Sequence, residues 1–294
     1  MKKSKNYLQI VVLSGKGGTG KTTFTAAFAE LADNKIVIDC DVDAANLYLL
    51  LNPNIESRKD FYGGKKAEID ISDCTKCGLC EELCTFNAIS DFKVNAISCE
   101  GCGLCFRACP EKAISFETQK SGVFYLGHLE DKSEFYYAKL FPGEGNSGKL
   151  VSEIKKEALQ QINDKTEWII IDGPPGIGCP VNASLSDADY VVLITEPSLS
   201  AVHDLQRLIK LLKTFKYPYG IIINKCDLNF EITKTIRNLA IKDGMKILGE
   251  VPFNEDFVNS LRMNKTVIKY NPLLKKDLAD IWNQIKQQSQ LVNN

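Results

Sequence analysis

The chain has 294 residues, 44% of them hydrophobic, enough for one large domain or two ordinary ones around a buried core. Lys and Arg number 36 against 37 Asp and Glu, so a net charge of -1 provides no field that would gather nucleic acid or an anionic membrane. Residues 1–15 hold only a short apolar run with no signal peptide, and no stretch nears the roughly 20 apolar residues of a membrane span; the eleven cysteines are therefore expected in a cytoplasmic protein, serving metals or catalysis rather than disulfides.

In chain order, residues 8–13 read as a buried parallel strand and 21–32 as a helix with Phe24, Phe28 and Leu31 on its apolar face. Further strands are expected at 36–38, 168–171, 190–194, 220–223 and 247–251, with helical patterns between them, notably 203–215 and 231–243. The alternation implies an α/β fold, a doubly wound and mostly parallel sheet. It stops between residues 60 and 117, where eight of the eleven cysteines lie, and that interval reads as an inserted α+β domain between two parts of the α/β domain, 1–59 and 118–294. Residues 124–129 and 135–140 look like a hairpin on the return. Near the C-terminus Leu278, Ile281, Trp282 and Ile285 share one helical face; its mixed charge favours core packing over a membrane surface.

Gly15-Lys16-Gly17-Gly18-Thr19-Gly20-Lys21-Thr22-Thr23 lies between the first strand and the first helix and matches a phosphate-binding loop. Its glycines let successive N–H groups form an anion nest at a helix N-terminus. Lys21 is expected on the β and γ phosphates, and the Thr22 hydroxyl on Mg²⁺. Asn224-Lys225-Cys226-Asp227, after the fifth strand, reads as a base-recognition loop. Guanine-specific GTPases use the same spacing, so GTP stands as an alternative to ATP.

Inside the insertion, Cys74, Cys77, Cys80 and Cys84 repeat as Cys99, Cys102, Cys105 and Cys109, and residues 74–90 match 99–115 at nine of seventeen positions. Each run has the Cys-x2-Cys-x2-Cys-x3-Cys spacing in which one loop wraps three corners of an iron–sulfur cube. A zinc site would call for paired Cys-x2-Cys groups without the third and trailing cysteine. Gly78 and Gly103 permit close backbone approach and N–H bonds to sulfur. Thr85 follows Cys84 where Pro110 follows Cys109, which leaves the first turn less constrained.

Lys16 is not required by the basic loop pattern; it resembles the signature lysine of the deviant Walker A ATPases, which include MinD, ParA-type partition proteins and the nitrogenase iron protein. The resemblance implies a face-to-face homodimer in which this lysine reaches the partner's nucleotide. By the same resemblance residues 168–171 and Asp172-Gly173-Pro174-Pro175-Gly176 look like a Walker B strand and switch, with Asp172 on Mg²⁺ and Gly176 near the γ phosphate. Asp41, in Asp39-Cys40-Asp41-Val42-Asp43, is then the residue orienting the attacking water, while Asp39 and Asp43 alternatively cap a helix at 44–51. The signature lysine points to ATP, with Asn224 on adenine, Asp227 structural and Pro252-Phe253 walling the base. The insertion resembles bacterial ferredoxins, which implies two [4Fe-4S] clusters: one held by Cys74, Cys77, Cys80 and Cys109, the other by Cys99, Cys102, Cys105 and Cys84.

The whole is similar to MinD-superfamily ATPases with an inserted ferredoxin domain, as are residues 145–151 and 195–207. Cys40 and Cys226 read as small buried hydrophobes. Cys179 sits at the offset of a cluster ligand in the nitrogenase iron protein, but residues 122–173 offer no second ligand, so it reads as a switch residue. His128 and His203 read as structural. The implied function is ATP-gated electron transfer to an unidentified redox protein; a cluster carrier with an acceptor protein is the alternative, weakened because the C-terminal half has no Cys-x-x-Cys. A surface-positioning ATPase would leave the clusters unexplained.

Overall fold

The computed structural model describes residues 5–293, and residues 1–4 of the segment searched for a leader lie outside them. β1 (Leu8–Ser14) runs through the glycine loop into α1 (Lys21–Leu31), followed by β2 (Lys35–Asp39) and the short α2 (Leu47–Leu51). β3 (Asn54–Ile69) leads out to a segment with α3 (Leu79–Glu82), β4 (Ile89–Ser90), β5 (Lys93–Val94) and α4 (Leu104–Ala108), and β6 (Ile114–His128) leads back. Then come β7 (Glu134–Leu140), α5 (Ser147–Leu159), β8 (Trp168–Asp172), α6 (Cys179–Leu185), β9 (Tyr190–Thr195) and α7 (Leu199–Thr214). β10 (Tyr219–Asn224), α8 (Phe230–Lys242), β11 (Lys246–Val251), α9 (Asp256–Arg262), α10 (Val267–Tyr270) and α11 (Lys275–Asn293) complete the chain.

Nine strands form one sheet in the order β11-β10-β9-β1-β8-β2-β7-β6-β3. The first seven are parallel, as runs such as Trp168-Ile-Ile-Ile-Asp172 require when both faces are covered. β1 lies between β8 and β9, so the glycine loop opens at the C-terminal edge of the sheet where the winding reverses, the usual ligand crevice of such folds. On one face Phe28 stacks on Trp282, with ring centroids 5.6 Å apart, and Leu278, Ile281 and Ile285 are buried beside it. The C-terminal helix is thus core, as its mixed charge indicates. Among the described residues no helix is long and apolar enough to cross a membrane.

The segment expected as an insertion is carried on a strand pair longer than the sequence pattern suggests. β3 and β6 pair antiparallel from Asn54 opposite His128 to Ile69 opposite Ile114, so the boundaries expected at 60 and 117 fall inside continuous strands. β3 is the sheet edge, and its exposed residues 54–60 include Glu56, Arg58, Lys59 and Asp60, charges that discourage pairing with another chain. At the far end the cysteine segment has a small core of its own: Ala67, Cys80, Ile89 and Ile114, with Cys84, Cys99, Cys105 and Cys109 packed on it.

Candidate functional site

The glycine loop bends through left-handed backbone at Gly18 (φ 82°) and Gly20 (φ 96°), conformations that disfavour side chains, and delivers Lys21 as the first residue of α1. Lys21 is 6% exposed; its Nζ lies 2.9 Å from Asp172 Oδ1 and 3.8 Å from Asp41 Oδ2. Burial opposes its charge, but Asp172 and Asp41 overrule that and hold the ammonium above the usual lysine value. The Thr22 and Thr25 hydroxyls each donate to Asp172, both at 2.8 Å. Thr25 is a site residue that the sequence pattern missed, one helical turn beyond Lys21 on the same face.

Asp39 lies opposite Asp172 in the β2–β8 register. Its carboxylate accepts the backbone N–H groups of Asp41 at 3.0 Å, Asn46 at 3.2 Å and Leu47 at 3.1 Å, so Asp39 does cap the following helix and shapes the loop that presents Asp41. Burial, then the neighbouring Asp172, push the Asp39 carboxyl well above the usual range, and burial also raises that of Asp41. Lys21, Thr22, Asp41, Asp43 and Pro174 line one groove. Gly176 N–H donates to the carbonyl of Ser14, a residue lining the groove, at 3.1 Å.

Lys16 is not in that groove. Its Nζ is 2.8 Å from Glu196 Oε1 and donates to the Ser198 and Ser200 hydroxyls at 3.0 and 3.2 Å. Lys225 Nζ binds the other oxygen of Glu196 at 2.7 Å and donates to Gly18 O at 3.2 Å. Burial works against the Glu196 charge, yet these two lysines hold its carboxyl below the usual range. Sequence reasoning missed Glu196, since nothing in a single chain marks which carboxylate folds onto a loop lysine. The Asn224 amide donates to Thr19 O at 2.8 Å and accepts from Lys225 N–H at 3.0 Å, fastening the base loop to the phosphate loop. Asp227 Oδ1 accepts from Phe253 N–H at 2.6 Å, which fixes the turn carrying Pro252. Thr19 Oγ1 is buried without a hydrogen-bond partner.

In the insertion, Cys74, Cys77, Cys80 and Cys109 line one cavity, together with Gly78 and Pro110. The left-handed Gly78 (φ 80°) and Gly103 (φ 68°) open α3 and α4 in equivalent places of the two repeats. Backbone N–H groups already reach sulfur: Lys76 to Cys74 at 3.4 Å and Ala88 to Cys84 at 3.3 Å. Cys84, Cys99 and Cys105 face the small core of the module, and Cys102 is exposed. Among the described residues no three His, Cys, Asp or Glu side chains converge closely enough for a single ion. Elsewhere Cys40 is buried, Cys226 half-buried, and Cys179 exposed at the start of α6. His128 lies between Glu56 and Glu134, 3.0 Å from each, stitching β3, β6 and β7, while His203 is exposed beside Asp204.

A glycine loop between the first strand and first helix of a doubly wound sheet, with an aspartate on the adjoining strand, defines a P-loop nucleotide-binding domain. The chain belongs to the CobQ/CobB/MinD/ParA nucleotide-binding domain family, which it matches over residues 10–267. It is similar to an uncharacterized protein of Methanocaldococcus jannaschii, 35% identical over 95% of this chain and 97% of that one. It is also similar to the septum site-determining protein MinD of Synechocystis, 25% identical over 92% of this chain and 85% of that one. Its fold is shared by MinD of Pyrococcus horikoshii, solved complexed with Mg-ADP, with a TM-score of 0.59, 18% identity and coverage of 97% and 98%.

Proposed function

We propose that this chain binds and hydrolyses Mg-ATP as a homodimer, and that its insertion holds two [4Fe-4S] clusters through which electrons pass singly to a partner protein under nucleotide control. The observation that carries the second part is the shared cavity of Cys74, Cys77 and Cys80 with Cys109, because that last ligand comes from the other repeat. An interlocked set of this kind is what a two-cluster ferredoxin requires. Cys99, Cys102 and Cys105 with Cys84 make the second set. When bound, the clusters supply one-electron redox capacity at a potential tuned by N–H bonds to sulfur.

The chain's own residues then act as follows. Lys21 turns from Asp172 to the β and γ phosphates, which frees Asp172 and the Thr22 hydroxyl for Mg²⁺, and Asp41 orients the attacking water. Lys16 leaves Glu196 and reaches across the dimer, a cation set against charge that develops in phosphoryl transfer. Asp227 has one oxygen committed to Phe253 N–H, an oxygen that a guanine edge would need, and this supports ATP over GTP. Nucleotide control of the module calls for about 5.5 kcal/mol of differential binding to move a population from 1:99 to 99:1.

Anaerobic reconstitution of the full chain tests the reading. Iron, sulfide and the low-temperature paramagnetic spectrum of the reduced protein are measured for wild type and single Cys→Ser variants. Cys77→Ser and Cys109→Ser should remove the same half of the signal, and Cys102→Ser and Cys84→Ser the other. No iron, or Cys109 grouping with Cys102, would sink the cluster assignment. Reduction rate and potential indifferent to Mg-ATP would remove direct gating, and cluster transfer to an apo-protein abolished by Cys179→Ala but not by Lys21→Ala would favour the carrier.

A further inference from the structure

The end of β7, the loop after it and the first turn of α5, residues 140–148, touch both the nucleotide groove and the cysteine module. On the nucleotide side, Leu140 N–H donates at 2.9 Å to the carbonyl of Val42, between Asp41 and Asp43. Gly148 packs so closely on Cys179, at the start of α6, that a Cβ there would stand 3.1 Å from the cysteine Cβ. Both loops flanking the groove therefore lean on this one segment. On the module side, Phe141 N–H donates to Ser121 O at 2.8 Å, Gly143 lies against Ile97, and Glu144 Oε2 is 3.5 Å from Lys66 Nζ.

Lys66 makes that last contact unusual. It lies on β3 and is 9% exposed, and its ammonium also donates to the carbonyls of Ala96 at 2.7 Å and Cys99 at 3.1 Å. A lysine so placed loses most of its hydration, and only directed bonds of this kind offset the cost. The carbonyls belong to the loop that opens the second cysteine run. Among the described residues no hydrogen bond or ion pair joins the first run, residues 74–84, to segment 140–148. The two repeats are alike in sequence but not in attachment.

We infer that Lys66 is a positioning residue: through Glu144 it ties the second cysteine loop to segment 140–148, so nucleotide-dependent movement of the groove loops reaches Cys99, Cys102 and Cys105 and bypasses the first run. The inference rests on the proposed iron–sulfur ATPase reading and assigns its coupling to one repeat. The physical content is one cation shared between a carboxylate on the nucleotide side and two carbonyls on the cysteine side.

Hydrogen exchange on the reconstituted full chain, with Mg-ADP and with a non-hydrolysable Mg-ATP analogue, tests it. In the wild type, amides 97–103 should differ between the two states by about fivefold or more, the lower end of ordinary coupling strengths, and amides 76–82 by less. Glu144→Gln keeps the carbonyl bonds and removes the ion pair; it should abolish the nucleotide difference at 97–103 while iron content and ATP hydrolysis hold. Lys66→Met should lose it too, and Lys66→Arg should restore it in part. A purely structural role would instead change exchange equally in both nucleotide states. The inference is overturned if Glu144→Gln keeps the wild-type response, if the wild type shows none, or if amides 76–82 respond more strongly. A chain that takes up no iron defeats the proposed function and this inference with it, whereas a chain that takes up iron and in which Glu144→Gln keeps the wild-type response defeats the tie alone.

Discussion

In the nucleotide groove Lys21, Thr22 and Thr25 are bound to Asp172 on walls made by a sheet with two buried faces. The cysteine segment is built on a core of four buried side chains, Ala67, Cys80, Ile89 and Ile114, at the tip of a strand pair. The groove is complete as protein, and under the proposed function a nucleotide would enter by exchanging partners with Lys21 and Asp172. The module has a small core of its own, and under the proposed function its order would rest on the clusters that its cysteines hold.

The strongest way to break that contrast is to take the iron out. Chelation should strip amides 74–110 of exchange protection, a loss on the order of 10 kcal/mol by analogy with structural thiolate sites, while the strands of the parallel sheet keep theirs. Equal protection before and after would show that the module stands unaided. Next in size, Lys16→Ala should lower ATP hydrolysis by about 10³-fold or more, as removal of a cation supplied in trans does, with nucleotide affinity little changed. Phosphate release at the wild-type rate would defeat the role across the dimer. Phe28→Ala, which removes the stack on Trp282, should cost about 3–5 kcal/mol in denaturant unfolding of the sheet and leave iron content alone. Parallel loss of iron would mean that the two regions share one folding unit.

The smallest effect concerns the seam between the regions. Burial works against the charge of His128, but Glu134 and Glu56 outweigh it and raise its pKa. The folded value is the higher one, so the ion pairs stabilise fully below the unfolded value of about 6.5 and fade as pH rises through the folded value. His128 is partly exposed, and the contribution is about 1 kcal/mol at most. His128→Gln should therefore lower the melting temperature at pH 6 and lower it less at pH 9; an equal shift at both would assign the effect to packing.

The glycine loop, the Asp172 strand and the buried face of the last helix were legible because each is a local pattern of one backbone period. The cysteine spacing was legible for the same reason. The long arms β3 and β6 were not: residues such as Glu56, Arg58 and Asp60 face solvent at a sheet edge, and only main-chain pairing marks them as strand. Nor was the Lys16–Glu196 pair, or the Lys66–Glu144 tie, since both join residues far apart in the chain whose charges look like ordinary surface. Asp39 was read with Asp43 as an alternative helix cap, and its place as organiser of the Asp41 loop emerges from three N–H groups that converge only in the folded chain.

Asn54 opens β3 and His128 ends β6, and the two residues face one another across the arms. A segment whose ends are neighbours joins or leaves a fold without requiring its host to shift. The segment between them, both cysteine runs included, is in that sense a cassette whose two ends meet at the edge of the sheet. Lys66 lies within it and Glu144 outside it, so their ion pair fastens the cassette to its host.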